Sequence, residues 1–460
     1  MISLWNTRSR SYQEVVPLHP PEVGVYSCGP TVYSEPTIGN WRKYIGDDVL
    51  VRTLALFGYV VRHVTNITDV GHLVDDGDMG EDKLQKRATA LGQTAWDIAR
   101  RYEALFLEGL DALHIQRPTI LPRATEHIPE QIALIQELER AGHTYRTSDG
   151  IYFDTATFSE YGALSGQRLD EKEAGARVEV HAEKRQQSDF ALWKFSHPSE
   201  HRHMEWESPW GVGFPGWHIE CSAMSAKYLG TRFDIHTGGV DHIPVHHENE
   251  IAQSECLTHQ PLANYWVHHE FLLVDGGRMG KSLGNGYTLQ DLADRGYTPV
   301  AYRYFVLGAH YRSKLNFTWE ALDGAKQALS KLKAVYLSWE EETGTDPNQE
   351  VLSRFREALA DDLHTPKALA LVWELVKADM PSSQKRATLR EMDRVLGLGI
   401  ATWQQEAQDI PEEIQRLAEE RQQARAQKDW AASDRLRDAL AAQGWVVRDT
   451  PSGFELTPLE

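Results

Sequence analysis

Three groups of residues in this 460-residue chain have types and spacings able to do chemistry. The first is PTIGN, Pro36 to Asn40, where an apolar run gives way to a helical period. Gly39 lets an anion approach the backbone there, and a helix N-terminus offers free N–H groups. An ordinary turn before a helix has the same appearance. The second is GGRMGKSLGN, Gly276 to Asn285, a Gly-rich turn carrying Arg278 and Lys281 beside Ser282. Cations on such a turn can close over a triphosphate and stabilise charge that develops in a transition state, although a solvated loop accommodates the same spacing. The third is a set of metal-ligand types: Cys28, Cys221, and His246 with Glu250 in HHENE. Residues four apart share a helix face, so His246 and Glu250 can grip one ion, and two thiolates would complete a tetrahedral Zn²⁺ shell. Cys28 and Cys221 are too far apart for a CxxC knuckle, and buried cysteines are common, so residue types alone leave zinc open.

Alternation of elements is what must bring these groups together. VGVYSCGPTVY reads as a strand ending in a turn, GNWRKYIGDDVLVRTLALFGY as a helix stopping near Gly58, and YVVRHVTNITDV as a second strand. That order is a mononucleotide-binding βαβ unit. Residues 118–198 are less regular, with one helix, HIPEQIALIQELERAG, and strand-like pieces GIYFDTA and DFALWKF, as expected of an insertion between two halves of a sheet. Alternation resumes with PGWHIECSAMSAKYLG as helix, RFDIHTGG as strand and turn, and HHENEIAQSECLT as helix. Beyond Thr318, a plausible N-cap in its residue type, Leu322, Ala325, Leu329, Leu332, Val335 and Tyr336 recur at helical spacing. A second helix is expected over 348–363, a third is expected to start at Thr365-Pro366 with Thr365 as cap, and GTDPNQ and SSQK are read as turns. From Pro411 the pattern predicts a helical hairpin and one strand, WVVRDTPSGFELT.

Composition bounds the function. With 41% hydrophobic and 25% charged residues the chain is globular, and its length calls for about three domains. No run approaches the apolar length of a membrane helix, and the start, MISLWNTRSRSYQEVV, has no apolar core behind its charges, so a cytoplasmic protein is expected. Three well-separated cysteines argue against a disulfide framework. A net charge of −19 disfavours indiscriminate nucleic-acid binding while leaving room for a local basic patch.

CGPTVYSEPTIGN, NITDVGH, SDFALWKFS, PGWHIECSAM, GGVDHIPVHHENEIAQSE and RMGKSLGN occur in the order seen in cysteinyl-tRNA synthetases, which the chain resembles over nearly its whole length. DDLHTPKALA and KDWAASDRLRDALAAQGWVVRDTPSGFE are similar to the tRNA-binding half of that family. The resemblance implies an α/β fold: a Rossmann-type parallel-sheet catalytic domain (1–117 and 199–265) with a connective insertion (118–198), and a KMSKS-loop region (266–317). An all-α anticodon-binding bundle (318–402) and a small C-terminal domain (403–460) follow. It also implies a class I enzyme that uses ATP, with Mg²⁺, to make cysteinyl-adenylate and passes the aminoacyl group to the 3′ end of tRNA(Cys), acting as a monomer. The family's zinc ligands fall on Cys28, Cys221, His246 and Glu250. A soft thiolate is preferred to a hydroxyl by Zn²⁺, so direct coordination of the substrate sulfur separates cysteine from serine where pocket shape would not. Gly29, Thr68, Trp217 and His236 are implied to form the cysteine pocket.

Thr37-Ile-Gly39-Asn40 corresponds to the HIGH signature and Arg278-Met-Gly-Lys281-Ser282 to KMSKS, and both depart from pattern. Thr37 and Asn40 stand for two histidines, Arg278 keeps a positive charge, Gly280 removes a hydroxyl, and Lys281 is retained as a catalytic cation along with Asn40. Phe214 stands where the family usually has arginine. For tRNA, Arg421, Arg425 and Lys428 are spaced to share one helix face, followed by Arg435 and Arg437, and such a stripe also suits a solvated face. Trp430 and Trp445 are read as core residues before stacking platforms. Two rival functions remain: a cysteine-activating ligase that acts on an amino sugar, which has no use for residues 318–460, and a non-catalytic tRNA-binding paralogue, for which the metal set has no use.

Overall fold

The computed structural model describes residues 1–71, 83–166, 182–197, 202–280, 283–404, 411–450 and 453–458. Lys281 and Ser282 lie outside the described residues. A small antiparallel ribbon, β1 (Ser3–Asn6) and β2 (Ser11–Glu14), precedes the first βαβ unit: β3 (Glu22–Ser27), α1 (Ile38–Leu56) and β4 (Val60–Thr65). α2 (Lys83–Leu91) and α3 (Ala95–Ala112) follow. α3 is capped by Thr94, whose side chain accepts from Asp97 N–H at 3.2 Å. α3 holds Phe106 stacked on Trp41 of α1 with ring centroids 5.5 Å apart, and Gly109 makes room for that indole, since a Cβ there would lie 2.2 Å from it.

The insertion begins with α4 (Ile128–Ala141), closed by Gly142 at φ 84°. Its antiparallel sheet is β5 (Thr144–Arg146), β6 (Gly150–Phe153), β7 (Phe190–Phe195) and β8 (Gly213–Pro215), so the last strand lies beyond residue 198. The second βαβ half then follows: α5 (Trp217–Leu229), β9 (Phe233–Gly239), α6 (His246–Thr258) and β10 (Ala263–His269). The central sheet runs β10-β9-β3-β4, parallel throughout. β3 and β9 thus belong to different halves and pair at the middle, which is where an open parallel sheet leaves a crevice beyond its C-terminal strand ends.

Successive strand residues point to opposite faces, and both faces of this sheet are covered. Val23, Val25, Ile235 and Val267 pack into a core shared with α1, α3 and the later helices, whereas Tyr26, Val64 and Trp266 face the core of α4, α5 and α6. Each such side chain stabilises by about 1.5–3 kcal/mol when fully buried, which is why the strands are apolar on both sides.

Beyond the sheet come β11 (Leu272–Val274), β12 (Gly277–Arg278), α7 (Leu289–Ala293), α8 (Pro299–Leu307) and β13 (Leu315–Phe317). The bundle is α9 (Trp319–Ser338), α10 (Gln349–Ala360), α11 (Thr365–Lys377) and α12 (Ser382–Leu396). On α9, Thr318 is the N-cap, Leu322, Ala325, Leu332 and Tyr336 are buried, and Leu329 and Val335 are half-buried. Three local expectations are corrected. α10 stops at Ala360, because Asp362 and Leu363 take φ 55° and 56° and so cannot continue a helix. The cap of α11 is His364, whose ring accepts from Lys367 N–H, with Thr365 already helical. SSQK is the first turn of α12, after Pro381.

The bundle packs into the same core as α1, and Arg303 of α8, fully buried, pairs with Asp48 of α1 at 2.6 Å while donating to the Leu396 carbonyl of α12. Residues 1–403 form one compact unit. Gln404–Glu460 form another, with its own core of Ile414, Ala418, Leu440, Val447 and Leu456. It contains α13 (Glu412–Ala426), α14 (Trp430–Ala442) and an antiparallel hairpin of β14 (Trp445–Thr450) and β15 (Gly453–Pro458), two strands where one was expected. Among the described residues no helix is long and apolar enough to cross a membrane.

Candidate active site

Cys28 is the first residue beyond β3, Cys221 lies in the second turn of α5, and His246 and Glu250 face one way on α6. All four are buried, and one ligand atom from each lies within 4.8 Å of the others. The sequence-derived metal set is therefore assembled from three separate segments. A second set, Cys28, His236, His247 and Glu250, meets the same criterion and shares two members with the first. Around Glu250 the carboxylate oxygens lie 2.9 Å from His236 Nε2 and 3.1 Å from His246 Nε2. The Cys28 sulfur is 3.2 Å from His247 Nε2, and His247 Nδ1 is 2.8 Å from His268 Nε2, whose own Nδ1 meets the Thr7 hydroxyl. On the other side His218 Nδ1 is 2.9 Å from His246 Nδ1.

Two thiols and a carboxyl packed so closely in a buried site repel one another once ionised. Burial alone would raise the Cys28 thiol, but the hydrogen bond from Cys221 and the His247 imidazole bring it well below its usual value. The bond that Cys221 donates to Cys28, together with burial, pushes Cys221 well above. Burial would lower His246, yet the Glu250 carboxylate beside it lifts it to about 10, whereas burial leaves His247 far below its ordinary value. A divalent cation would relieve this arrangement, and two sulfurs, an imidazole and a carboxylate are donors of the kind that suit Zn²⁺.

α6 is unusual in carrying polar side chains that are buried on all sides, and each has a partner. Glu248 accepts from the Gly162 and Ser165 N–H groups, Asn249 from the Tyr161 hydroxyl, Gln253 from Ser222. These bonds offset the desolvation that would otherwise expel the helix. At the start of α5, Gly216 allows the chain to press on β7, where a Cβ would lie 2.0 Å from the Ala191 carbonyl.

A cavity of about 780 Å³ opens on this cluster. Cys28, Cys221 and His246 line it, while His236, His247 and Glu250 are fully enclosed, so three members of the first set reach the cavity against Cys28 alone of the second. Gly29, Thr68 and Trp217 also line it, and the Trp217 ring lies 4.4 Å from that of His246. Gly29 is required there by close approach: a Cβ would fall 1.5 Å from the Asn66 carbonyl, and its N–H is taken by the Asn66 side chain at 2.8 Å. His236 is not part of the cavity wall and supports Glu250 from behind.

The glycine-bearing turns at 36–40 and 276–280 meet on the same cavity. Gly39, Asn40 and Arg278 line the cavity, and a Cβ on Gly39 would lie 2.1 Å from the Met279 methyl. Ile38 N–H donates to the Tyr287 carbonyl, so the chain leaving the second turn docks on the first. Thr37 is buried, and its N–H and hydroxyl both donate to Asn40 Oδ1 at 2.9 Å. The expected Thr37 hydroxyl donor is thereby consumed in starting α1, leaving the Asn40 amide nitrogen. Asn285 closes the second turn by accepting from Gly280 N–H and donating to the Arg278 carbonyl.

Residues 14–327 match the family described as tRNA synthetases class I (C) catalytic domain, and residues 407–454 match the cysteinyl-tRNA ligase anticodon binding domain. A "Cysteine--tRNA ligase 1" of Burkholderia lata is 52% identical over 458 residues, covering 99% of this chain and 96% of the relative. The chain belongs to the cysteine–tRNA ligase family. A second cysteine–tRNA ligase, from Treponema denticola, is 42% identical over 97% of this chain and 98% of its own length. Among solved structures, methionyl-tRNA synthetase of Mycobacterium tuberculosis in complex with methionyl-adenylate aligns with a TM-score of 0.55 at 17% identity, covering 82% of this chain and 90% of that one. A leucyl-tRNA synthetase from Agrobacterium radiobacter K84 reaches 0.58 at 12% identity, over 84% and 85%. These two share the class I fold.

Within this cysteine–tRNA ligase family member the expected basic stripe is corrected. Arg421 is buried and paired with Asp449 at 2.8 Å, Arg425 reaches the same carboxylate at 3.3 Å, and Lys428 lies past the end of α13 at φ 62°. Arg437 pairs with Asp434. Trp445 packs against the small core as expected, but Trp430 is 57% exposed, with the Arg425 guanidinium 5.7 Å from its ring. Phe214 is buried beneath Arg202, whose guanidinium lies 3.4 Å above the ring, so a cation still occupies that neighbourhood from another segment. Sequence reading passed over His218, His242, His247 and His268; the signal for the last three was the density of histidines in GGVDHIPVHHENE and WVHHE, whereas His218 stands alone in PGWHIE.

Proposed function

We propose that this chain activates L-cysteine with Mg²⁺-ATP to cysteinyl-adenylate and transfers the cysteinyl group to the 3′ end of tRNA(Cys). The observation that carries the reading is one cavity lined both by Cys28, Cys221 and His246 and by the turns that bear Asn40 and Arg278. Its volume of about 780 Å³ accommodates an amino acid whose thiol lies at the ligand cluster and a nucleotide whose phosphates lie at the turns. Cys28, Cys221, His246 and Glu250 would hold Zn²⁺, which when bound supplies a soft Lewis acid that favours a thiolate over a hydroxyl.

The chain's own residues do the rest. Trp217 packs against His246 and closes the side of the pocket, and Gly29 and Thr68 keep the ends of β3 and β4 together. The Asn40 amide and Arg278 contact phosphate oxygens, and by the family resemblance Lys281 neutralises charge as they separate. Exposed Trp430 beside Arg425 offers a face on which an unstacked base can lie, in place of the lysine and arginine stripe. We place the protein in the cytoplasm as a monomer. The match of residues 407–454 to an anticodon-binding domain favours tRNA over an amino sugar as acceptor.

Cysteine-dependent ATP–pyrophosphate exchange and charging of tRNA(Cys) test the proposal together. Both activities are expected from zinc-loaded protein. Absence of exchange would overturn the reading in favour of a tRNA-binding paralogue, and exchange with transfer to an amino sugar alone would identify the other ligase.

A further inference from the structure

The cavity holds a cation that neither turn supplies. Lys43 of α1 stands three residues after Asn40 and four after Gly39, so the three share the helix face that lines the cavity. Its side chain is 11% exposed, and its ammonium pairs with Asp47 at 2.8 Å and donates to the backbone carbonyl of Cys28. Asp47 is in turn bonded to His269 Nε2 at 3.0 Å. Gly46 admits that imidazole, since a Cβ there would lie 2.3 Å from the ring. Burial would raise the Asp47 carboxyl, but Lys43 and His269 hold it well below its usual value, so the pair is ionic.

A buried pair of this kind contributes little net stability, because desolvation of both ions offsets their attraction. Its location is the informative feature. A cysteine whose thiol reaches the Cys28, Cys221, His246 and Glu250 cluster carries its carboxylate only a few bonds away, and Lys43, whose ammonium meets the Cys28 carbonyl, lines the same cavity. An ammonium has three N–H groups; the Cys28 carbonyl and the Asp47 carboxylate take two, and the remaining side, where the Tyr44 ring lies 4.6 Å away, stays at the cavity wall for a ligand oxygen. The first anion-binding turn is meanwhile short of donors, since Thr37 is consumed by Asn40.

We propose that Lys43 is a catalytic residue of adenylate formation, its ammonium contacting a non-bridging oxygen of the ATP α-phosphate beside the substrate carboxylate. The inference rests on the cysteine-activating reading above. In the step, a carboxylate oxygen bonds to the α-phosphorus, the bond from that phosphorus to the oxygen shared with the β-phosphate breaks, and pyrophosphate leaves with the electron pair. No proton moves. Lys43 stabilises the charge on the α-phosphate oxygens during this exchange, and Asp47 and His269 are positioning residues that aim it.

Lys43→Met and the double variant Lys43→Met/Asp47→Asn test this by steady-state cysteine-dependent ATP–pyrophosphate exchange on the full, zinc-loaded chain. The double variant leaves no buried carboxylate unpaired and carries the test if the single one does not fold. In both, kcat is expected to fall by roughly a hundredfold or more, with KM for cysteine and ATP within about threefold. Bound metal should be unchanged, and Lys43→Arg should recover part of the rate. Exchange within about threefold of the parent chain, or a loss carried by KM with kcat retained, would overturn the role. No exchange by the parent chain would overturn the underlying reading instead.

Discussion

Cys221→Ser separates the two ligand sets that the fold brings together. Cys28 and Glu250 belong to both, so among the described residues the site is completed by the outer pair, Cys221 and His246, or by the enclosed pair, His236 and His247. The outer pair faces the cavity and the enclosed pair does not. Apparent zinc binding by a four-ligand structural site amounts to about 10–16 kcal/mol, so one thiolate accounts for about 2.5–4 kcal/mol if the four share it evenly. Replacing that thiolate by a poorly coordinating hydroxyl should therefore weaken binding by about 10²–10³-fold. The fold itself should persist, because serine fits the space and can still donate to Cys28. Competition of purified protein against a chromophoric zinc chelator reads the affinity directly, and cysteine-dependent pyrophosphate exchange on the same samples reads the consequence. A Cys221→Ser protein with parental zinc affinity, alongside a His247→Gln protein that has lost the metal, would show that the ion sits in the enclosed set and refute the argument from cavity exposure.

Other expectations concern positions away from the ligands' own chemistry. Gly29→Ala drives a methyl into the Asn66 carbonyl, and separating the ends of β3 and β4 should cost about 1–3 kcal/mol in chemical unfolding; an unchanged midpoint would show that the loop gives way. Burial pushes the His63 imidazole down to about 4 from the usual 6.5. The unfolded chain then binds the extra proton between those values, so stability is complete above pH 6.5 and declines as pH falls to 4, by about 3 kcal/mol. His63→Gln should remove that part of the slope, and a parental slope in the variant would discount the imidazole. Trp430→Ala should raise KM for tRNA about tenfold or more while leaving pyrophosphate exchange intact, as expected if stacking contributes about 1–3 kcal/mol per base; unchanged charging would make the exposed indole incidental.

Local signals carried much of the fold. The βαβ units at 22–65 and 233–269 follow from apolar strand runs, helical periods and the glycines that end them, and these depend only on neighbours in the chain. Misreadings fell at boundaries, where a long-range contact chooses the conformation. Asp362 leaves the helical path because its backbone N–H bonds Ser3 and its carboxylate accepts from Trp5, Tyr311 and Arg312, partners spread across the chain. Arg421 read as a cation on a solvated helix face, but β14 returns over that face and delivers Asp449.

Residue types and family motifs singled out Cys28, Cys221, His246 and Glu250, together with the two glycine-bearing turns. Thiols, imidazole and carboxyl have distinctive chemistry wherever they stand, and four-residue spacing on α6 is a local property. Only tertiary structure decided that β3 and β9 pair at the middle of the sheet, so that segments nearly two hundred residues apart converge on one buried point. It also decided that HHENE is buried with only His246 reaching the cavity, that Thr37 has no hydroxyl to give, and that Lys43 is held at the cavity wall by Asp47. The physical reason is that burial and hydrogen-bond partnership are properties of distant segments packed together, and a linear pattern records neither the dielectric around a charge nor the atom that meets it.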